Sequence, residues 1–190
     1  MKPNPRATRR AAGFTLIELL VVIGIMSVIA LLGGPKFYRL IQHWKLMSAA
    51  QQTQMLLRLA RLEAIKTTGT TVVLIDTTSR TVTAFDDLNA NLRYDAGEPQ
   101  VAVYTLDKNL TLGTASGFTP DPRGAPYPPL AVFNSSGAVS AVGAFRIANS
   151  RGDQLEARVM STNGGIVKLR KLQGATYIEP GEGGQQWTWN

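Results

Sequence analysis

Residues Phe14 to Leu32 read FTLIELLVVIGIMSVIALL, interrupted by polar side chains only at Thr15, Glu18 and Ser27. As a helix this run reaches ~28 Å, about the hydrocarbon thickness of a bilayer. A segment this apolar cannot be left in water, so it must cross a membrane or be covered by protein. The thirteen residues before it carry Lys2, Arg6, Arg9 and Arg10 and no acid. By the positive-inside rule that flank stays cytoplasmic and the carboxyl-terminal bulk goes outward. A secretory signal has the same basic-then-apolar order, but its small-residue cleavage site follows the apolar run. Here the small residue, Gly13, precedes it.

Glu18 is the anomaly within this run. A carboxylate in a spanning segment costs a few kcal/mol and needs a partner. If the chain is cut after Gly13, the new amine of Phe14 lies one helical turn from Glu18, on the same chain or a neighbour. An interfacial Glu near the headgroups is the plainer alternative.

The stretch Arg9-Arg10-Ala11-Ala12-Gly13-Phe14-Thr15-Leu16-Ile17-Glu18-Leu19-Leu20 resembles the processing and methylation motif of type IV pilins and type II secretion pseudopilins. The resemblance implies that a prepilin peptidase cuts between Gly13 and Phe14 and methylates the Phe14 amine. It implies that Glu18 pairs with the terminal amine of an adjacent subunit during assembly. It also implies that the helix kinks or loosens at Pro35, and Gly33 and Gly34 just before it make that physically reasonable.

Composition removes much of catalysis. The chain has no cysteine, which excludes disulfides, zinc–thiolate sites and cysteine nucleophiles, and one histidine, His43, which excludes any site needing two imidazoles. No nucleophile–base pair or metal cluster stands out, and no enzyme is expected. The formal charge of +7 suggests an acidic partner at first sight. It is, however, concentrated in residues 1–13 and 14–67, at +4 each, with residues 68–190 at −1. Removing residues 1–13 leaves +3, all of the excess on the helix.

Past Pro35, apolar residues at Phe37, Leu40, Ile41, Trp44, Met47, Met55, Leu59, Leu62 and Ile65 recur every three or four positions. Leu56 and Leu57 widen the stripe, which predicts an amphipathic helix ending near Lys66 with this stripe against a sheet. His43 lies on it beside Trp44, as a solvated or packed residue. The remainder predicts short strands at Val72–Asp76, Thr81–Asp86, Val101–Leu106, Leu110–Gly113, Leu130–Asn134, Ala144–Asn149, Gln154–Ser161 and Ile166–Leu172. Turn residues separate them, and Thr119–Pro129, with five prolines, is a loop. The expected fold class is α+β, one long helix packed on a mostly antiparallel sheet. The expected organisation is a cleaved leader, 1–13; a transmembrane and assembly helix, 14–34; an amphipathic helix, 35–67; and a β-rich head, 68–190. Within the pilin group, a helix followed by about eight short strands resembles the GspH/FimT-type minor pilins and pseudopilins.

Three constellations could carry binding. Asp87, Asn89, Asn91, Asp95 and Glu98 place oxygens at positions 1, 3, 5, 9 and 12 of a twelve-residue calcium loop, with Arg93 offering only its carbonyl. Position 6 is Leu92 rather than glycine and the preceding segment reads as a strand, so a self-bonded Asx-rich turn competes, with no cofactor. Arg151-Gly152-Asp153 spells an adhesion tripeptide, yet between two strands it is a good turn. Lys168, Arg170 and Lys171, with Trp187 and Trp189 further on, could meet nucleic-acid phosphates and bases. The DNA-capturing pilins resemble one another in a late G-R-x-R stretch, where this chain has Gly165-Ile166-Val167-Lys168. With the head at −1 the electrostatic drive toward DNA is weak, and edge charges that discourage aggregation explain the basic residues.

The resemblance implies a non-enzymatic minor pilin of a type IV pilus that helps prime assembly at or near the fibre tip. The alternatives are an H-type minor pseudopilin of a type II secretion system and a DNA-capturing pilin for transformation. The implied partners are other minor and major pilins or pseudopilins, a prepilin peptidase and an inner-membrane assembly platform. The implied location is the bacterial inner membrane, single-pass with a periplasmic head, and then the fibre.

Overall fold

The computed structural model describes residues 14–114, 117–182 and 186–189. The leader, Gly13 included, lies outside the described residues. Among the described residues, one helix, α1 (Leu16–Thr67), is followed by nine strands: β1 (Thr71–Asp76), β2 (Thr81–Asp86), β3 (Gln100–Thr105), β4 (Leu110–Thr114), β5 (Ala131–Phe133), β6 (Gly143–Asn149), β7 (Gln154–Val159), β8 (Val167–Gln173) and β9 (Thr176–Ile178). The chain divides into two compact units, residues 1–41 and 42–190.

In the first unit, Leu16–Gly34 has a mean hydropathy of 2.7 and is long and apolar enough to cross a membrane. Its large side chains are exposed throughout. The helix continues through Gly33, Gly34 and Pro35 as a single element.

The second unit is α+β, with every strand pairing antiparallel. The strands form two sheets where one was expected. A four-stranded sheet has the order β3-β2-β1-β5, and a five-stranded sheet the order β4-β6-β7-β8-β9. One apolar cluster joins α1 to both sheets, through Leu46, Leu57, Val73, Phe133, Phe145 and Ile147 among others. A smaller one, Val72, Phe85, Leu130 and Val132, lies apart from it, on the other side of the strand alternation in β1 and β2. Strand alternation therefore buries both faces of β1 and β2, whose patterns are almost continuously buried.

The expected stripe on α1 is corrected. Leu46, Ala49, Ala50, Thr53, Leu57, Ala60 and Ala64 are the fully buried positions, at the same three-and-four spacing. Trp44, Met55 and Leu62 are 62, 60 and 60% exposed. Alanines let a helix approach a sheet closely, so small residues form the contact face. Hydrophobic periodicity read by size selects the opposite face. Leu56 and Leu57 belong to the buried side, as their place in the sequence suggested only as a widening.

Polar clasps fasten this helix to the strands. Gln54 Nε2 and an Arg58 guanidinium nitrogen both donate to the carbonyl of Val167, at 2.9 and 3.3 Å. Arg61 Nε donates to the carbonyl of Gly137 at 3.1 Å. Gly165 comes so close that a Cβ there would sit 2.7 Å from the Arg61 side chain and 2.9 Å from the Gly137 carbonyl.

Candidate functional site

The helix begins with a reciprocal cap. Thr15 N and Thr15 Oγ1 donate to Glu18 Oε2 at 2.9 and 3.0 Å, and Glu18 N donates to Thr15 Oγ1 at 3.3 Å. This is a capping box, in which Thr at the cap and Glu three residues on satisfy each other's backbone donors. Phe14, Ile17, Glu18, Val21 and Val22 line one shallow concavity, so the structure brings Phe14 and Glu18 to the same end of the helix. A carboxylate at a helix amino terminus is favoured by the helix dipole.

The loop from Asp87 to Glu98 is knitted by its own side chains. Asp87 accepts from the amides of Asn91 and Leu92 at 3.1 and 2.9 Å, and Glu98 from those of Leu88 and Asp95 at 3.1 and 3.0 Å. Asn89 and Asn91 donate their side-chain amides to Asp95 Oδ2 at 2.9 and 2.6 Å. Those two bonds hold the Asp95 carboxyl below its ordinary range. All five sequence-selected residues are thus brought together, each engaged within the loop. Among the described residues, no three His, Cys, Asp or Glu side chains form a group able to hold a metal ion. Leu92 has φ +60°, the left-handed conformation that a calcium loop gives to glycine. Its side chain packs on the smaller apolar cluster, and Tyr94 meets Phe85 edge-on at 5.3 Å. The loop is a lid on that cluster, which explains why a leucine stands at the strained position.

Arg151-Gly152-Asp153 is the turn between β6 and β7. Gly152 has φ +88°, the amides of Arg151 and Asp153 both donate to Asn149 Oδ1 at 3.0 Å, and Asp153 is buried. An adhesion tripeptide needs its carboxylate outside; this one faces inward.

The basic trio is split by strand alternation. Lys168 pairs with Glu179 at 2.7 Å, and Arg170 with Glu156 at 3.3 Å and with the Tyr177 carbonyl. Lys171 points to the opposite face, where it is buried against Asp153 at 3.4 Å and donates to the Thr188 carbonyl. Its ammonium also lies 4.2 Å from the centre of the Trp189 ring, and Trp189 in turn packs on His43. The tail tryptophans therefore anchor the chain end to the head. The burial of Lys171 and Glu156 had no signal in the sequence, since both sit in strands that alternate with ordinary polar residues.

Residues 49–165 match the family described as Type II transport protein GspH, and residues 8–33 match the prokaryotic N-terminal methylation motif. The chain belongs to the GspH family. No curated protein matches it. Among solved structures it is similar to the minor pseudopilin EpsH of the Vibrio cholerae type 2 secretion system. The two share 20% identity at a TM-score of 0.46, over 67% of this chain and 96% of that one. It is also similar to the type IV minor pilin FimU of Pseudomonas aeruginosa. There the identity is 12% and the TM-score 0.49, over 72% and 94% of the two chains. The family match spans the helix from Ala49 to the edge of β8, and the methylation motif spans the capped helix start. A GspH-family chain with that motif is a pilin-type or pseudopilin-type subunit, a structural component of a pilus or secretion assembly, anchored by its apolar amino-terminal helix.

Proposed function

We propose that this GspH-family chain is a minor pilin of a type IV pilus, helping to prime assembly at or near the fibre tip. The observation that carries the reading is the helix start, where Glu18 caps Thr15 beside Phe14, ahead of an exposed apolar segment. A prepilin peptidase cuts between Gly13 and Phe14 and methylates the new amine. Glu18 then exchanges its Thr15 bonds for the amine of a neighbouring subunit as the helix leaves the inner membrane. Pro35, with Gly33 and Gly34, supplies the point where the helix loosens in the fibre. The head stays periplasmic until assembly. The exposed face of α1 carries Trp44, Met55 and Leu62, and large apolar side chains left in solvent support contact with other minor or major pilins.

Co-expression with a prepilin peptidase and mass spectrometry of the amino terminus tests this. N-methylated Phe14 as first residue is expected; an intact leader sinks the reading.

The family description itself favours a second reading, an H-type minor pseudopilin of a type II secretion system. Deleting the gene separates the two: loss of surface pili supports the first, and loss of protein secretion with intact pili the second. A DNA-capturing role is weaker, since Lys168 and Arg170 are ion-paired and Lys171 is buried. The subunit needs no enzyme activity and no cofactor. Loop 87–98 serves as a self-bonded lid, so melting with and without millimolar calcium should give the same midpoint. A rise on adding calcium would make Asp87, Asn89, Asn91, Asp95 and Glu98 a calcium site.

A further inference from the structure

The outer face of the five-stranded sheet holds a cation that makes no ion pair among the described residues. Strand alternation sends Phe145, Ile147, Leu155, Ala157 and Val159 into the core. Arg146, Glu156, Arg158, Lys168 and Arg170 consequently occupy the other face. Register places Glu156 directly between Arg146 and Arg170. The Glu156 carboxylate is turned to Arg170 and Arg158, at 3.3 and 3.8 Å, and Lys168 is paired with Glu179. Arg146 has no ion pair among the described residues. Its guanidinium lies over the Tyr177 ring, 4.9 Å from the centroid, and its Nε is buried without a hydrogen-bond partner. The ring is held in turn by the Tyr177 hydroxyl donating to Gln154 Oε1 at 3.1 Å.

On its other flank Arg146 is paired with Gly113 of β4, which has no side chain to cover it. A cavity of about 290 Å³ opens there, lined by Thr111, Leu112, Gly113, Arg146, Ala148 and Gln154. A Cβ on Gly113 would meet nothing within 4 Å. A glycine inside a strand forfeits packing and often marks a place where another chain approaches closely.

We propose that this cavity is a carboxylate socket: an Asp or Glu side chain of a partner protein enters beside Gly113 and pairs with Arg146. Guanidinium is the group suited to this, since its planar fork matches a carboxylate and is held here by the tyrosine ring. Gln154 spends its oxygen on Tyr177, which leaves its amide nitrogen to donate to the incoming group. The charge pattern selects a protein carboxylate over a nucleic-acid backbone. A phosphate chain needs several unpaired cations in a row, whereas here Arg158 and Arg170 share Glu156 and Lys168 pairs with Glu179, which leaves Arg146 alone without an ion pair among the described residues. The socket serves pilus and pseudopilus alike, so it stands apart from the choice between them.

The full chain in detergent is titrated with a labelled glutamate-rich peptide, its glutamine counterpart and a short duplex DNA, followed by fluorescence anisotropy. The glutamate peptide should bind more tightly than the other two. Both Arg146→Gln and Gly113→Val should weaken it at least about tenfold, while Lys168→Gln, outside the cavity, changes it less than about twofold. A Cβ at Gly113 meets nothing within 4 Å and valine suits a strand, so the melting point of Gly113→Val should not fall. No preference for glutamate over glutamine, or equal binding by Gly113→Val and the unmodified chain, overturns the socket. Tighter binding of the DNA, lost in Lys168→Gln, overturns it in favour of a nucleic-acid surface.

Discussion

The imidazole of His43 on α1 meets the indole of Trp189 edge-on, with ring centroids 3.7 Å apart. One residue comes from the helix and the other from the last few positions of the chain. Asp153 from the β6–β7 turn and Lys171 from β8 face the same imidazole, with Trp44 on its helix side. The tail thus closes a junction between helix and five-stranded sheet.

Burial holds the His43 imidazole below its ordinary pKa; the Lys171 ammonium adds to this and Asp153 works against it. The folded state therefore binds this proton less readily than the unfolded chain does. Stability is present above about pH 6.5 and is lost as the pH falls below that value toward the lowered folded pKa. Melting the full chain from pH 7.5 down to 5.5 should show this decline, and His43→Leu should flatten it. An unchanged slope in the variant would remove His43 from the cause.

Lys171 and Asp153 retain 4 and 3% of their side-chain exposure, so the pair is desolvated. Lys171→Met removes the desolvated cation facing this carboxylate and should cost about 3–5 kcal/mol. The double variant with Asp153→Asn should recover a large part of that loss, which thermal denaturation of both proteins measures.

Gly165 and Gly174 both have left-handed backbone, φ +52° and +64°, but only Gly165 presses on neighbours. Alanine at Gly174 should cost about 1 kcal/mol from conformation alone. Gly165→Ala must also displace Arg61 and the Gly137 carbonyl, and should cost about 2–3 kcal/mol. Equal melting points would mean that the clasp yields freely.

Asp87 is buried and accepts two backbone amides in the lid loop. Asp87→Ala should lower stability by about 1–3 kcal/mol through those unpaired amides. It should also expose Leu92 and the apolar cluster beneath, read as faster amide exchange in residues 88–95 than elsewhere in the head.

Local rules carried the secondary structure well. The eight expected strands each have a counterpart within a residue or two, because period-two alternation and turn residues are local signals. The ninth, Thr176–Ile178, is three residues long, too short to show alternation, and exists because β8 offers it an edge. The buried face of α1 departs from the expected one for another reason. Trp44, Met55 and Leu62 outweigh Ala49, Ala60 and Ala64 in any reading by hydrophobic size, whereas close packing on a sheet favours the small ones.

The candidate sites divide the same way. Thr15 and Glu18 lie three residues apart, and the cap they form follows from that spacing. Gly113, Arg146 and Tyr177 are drawn from β4, β6 and β9 and are far apart along the chain.

What the sequence determined by itself was therefore whatever one helical turn or one strand period can encode: the apolar anchor, its capped start beside Phe14, the strand succession and the motif of the family. The tertiary structure decided which face of α1 is buried, that the strands split into two sheets, that Lys171 turns inward while Lys168 and Arg170 stay out, and that Arg146 faces a gap. Those outcomes depend on register between strands distant in sequence and on the volume left between packed elements. Neither quantity is written in any single stretch of the chain.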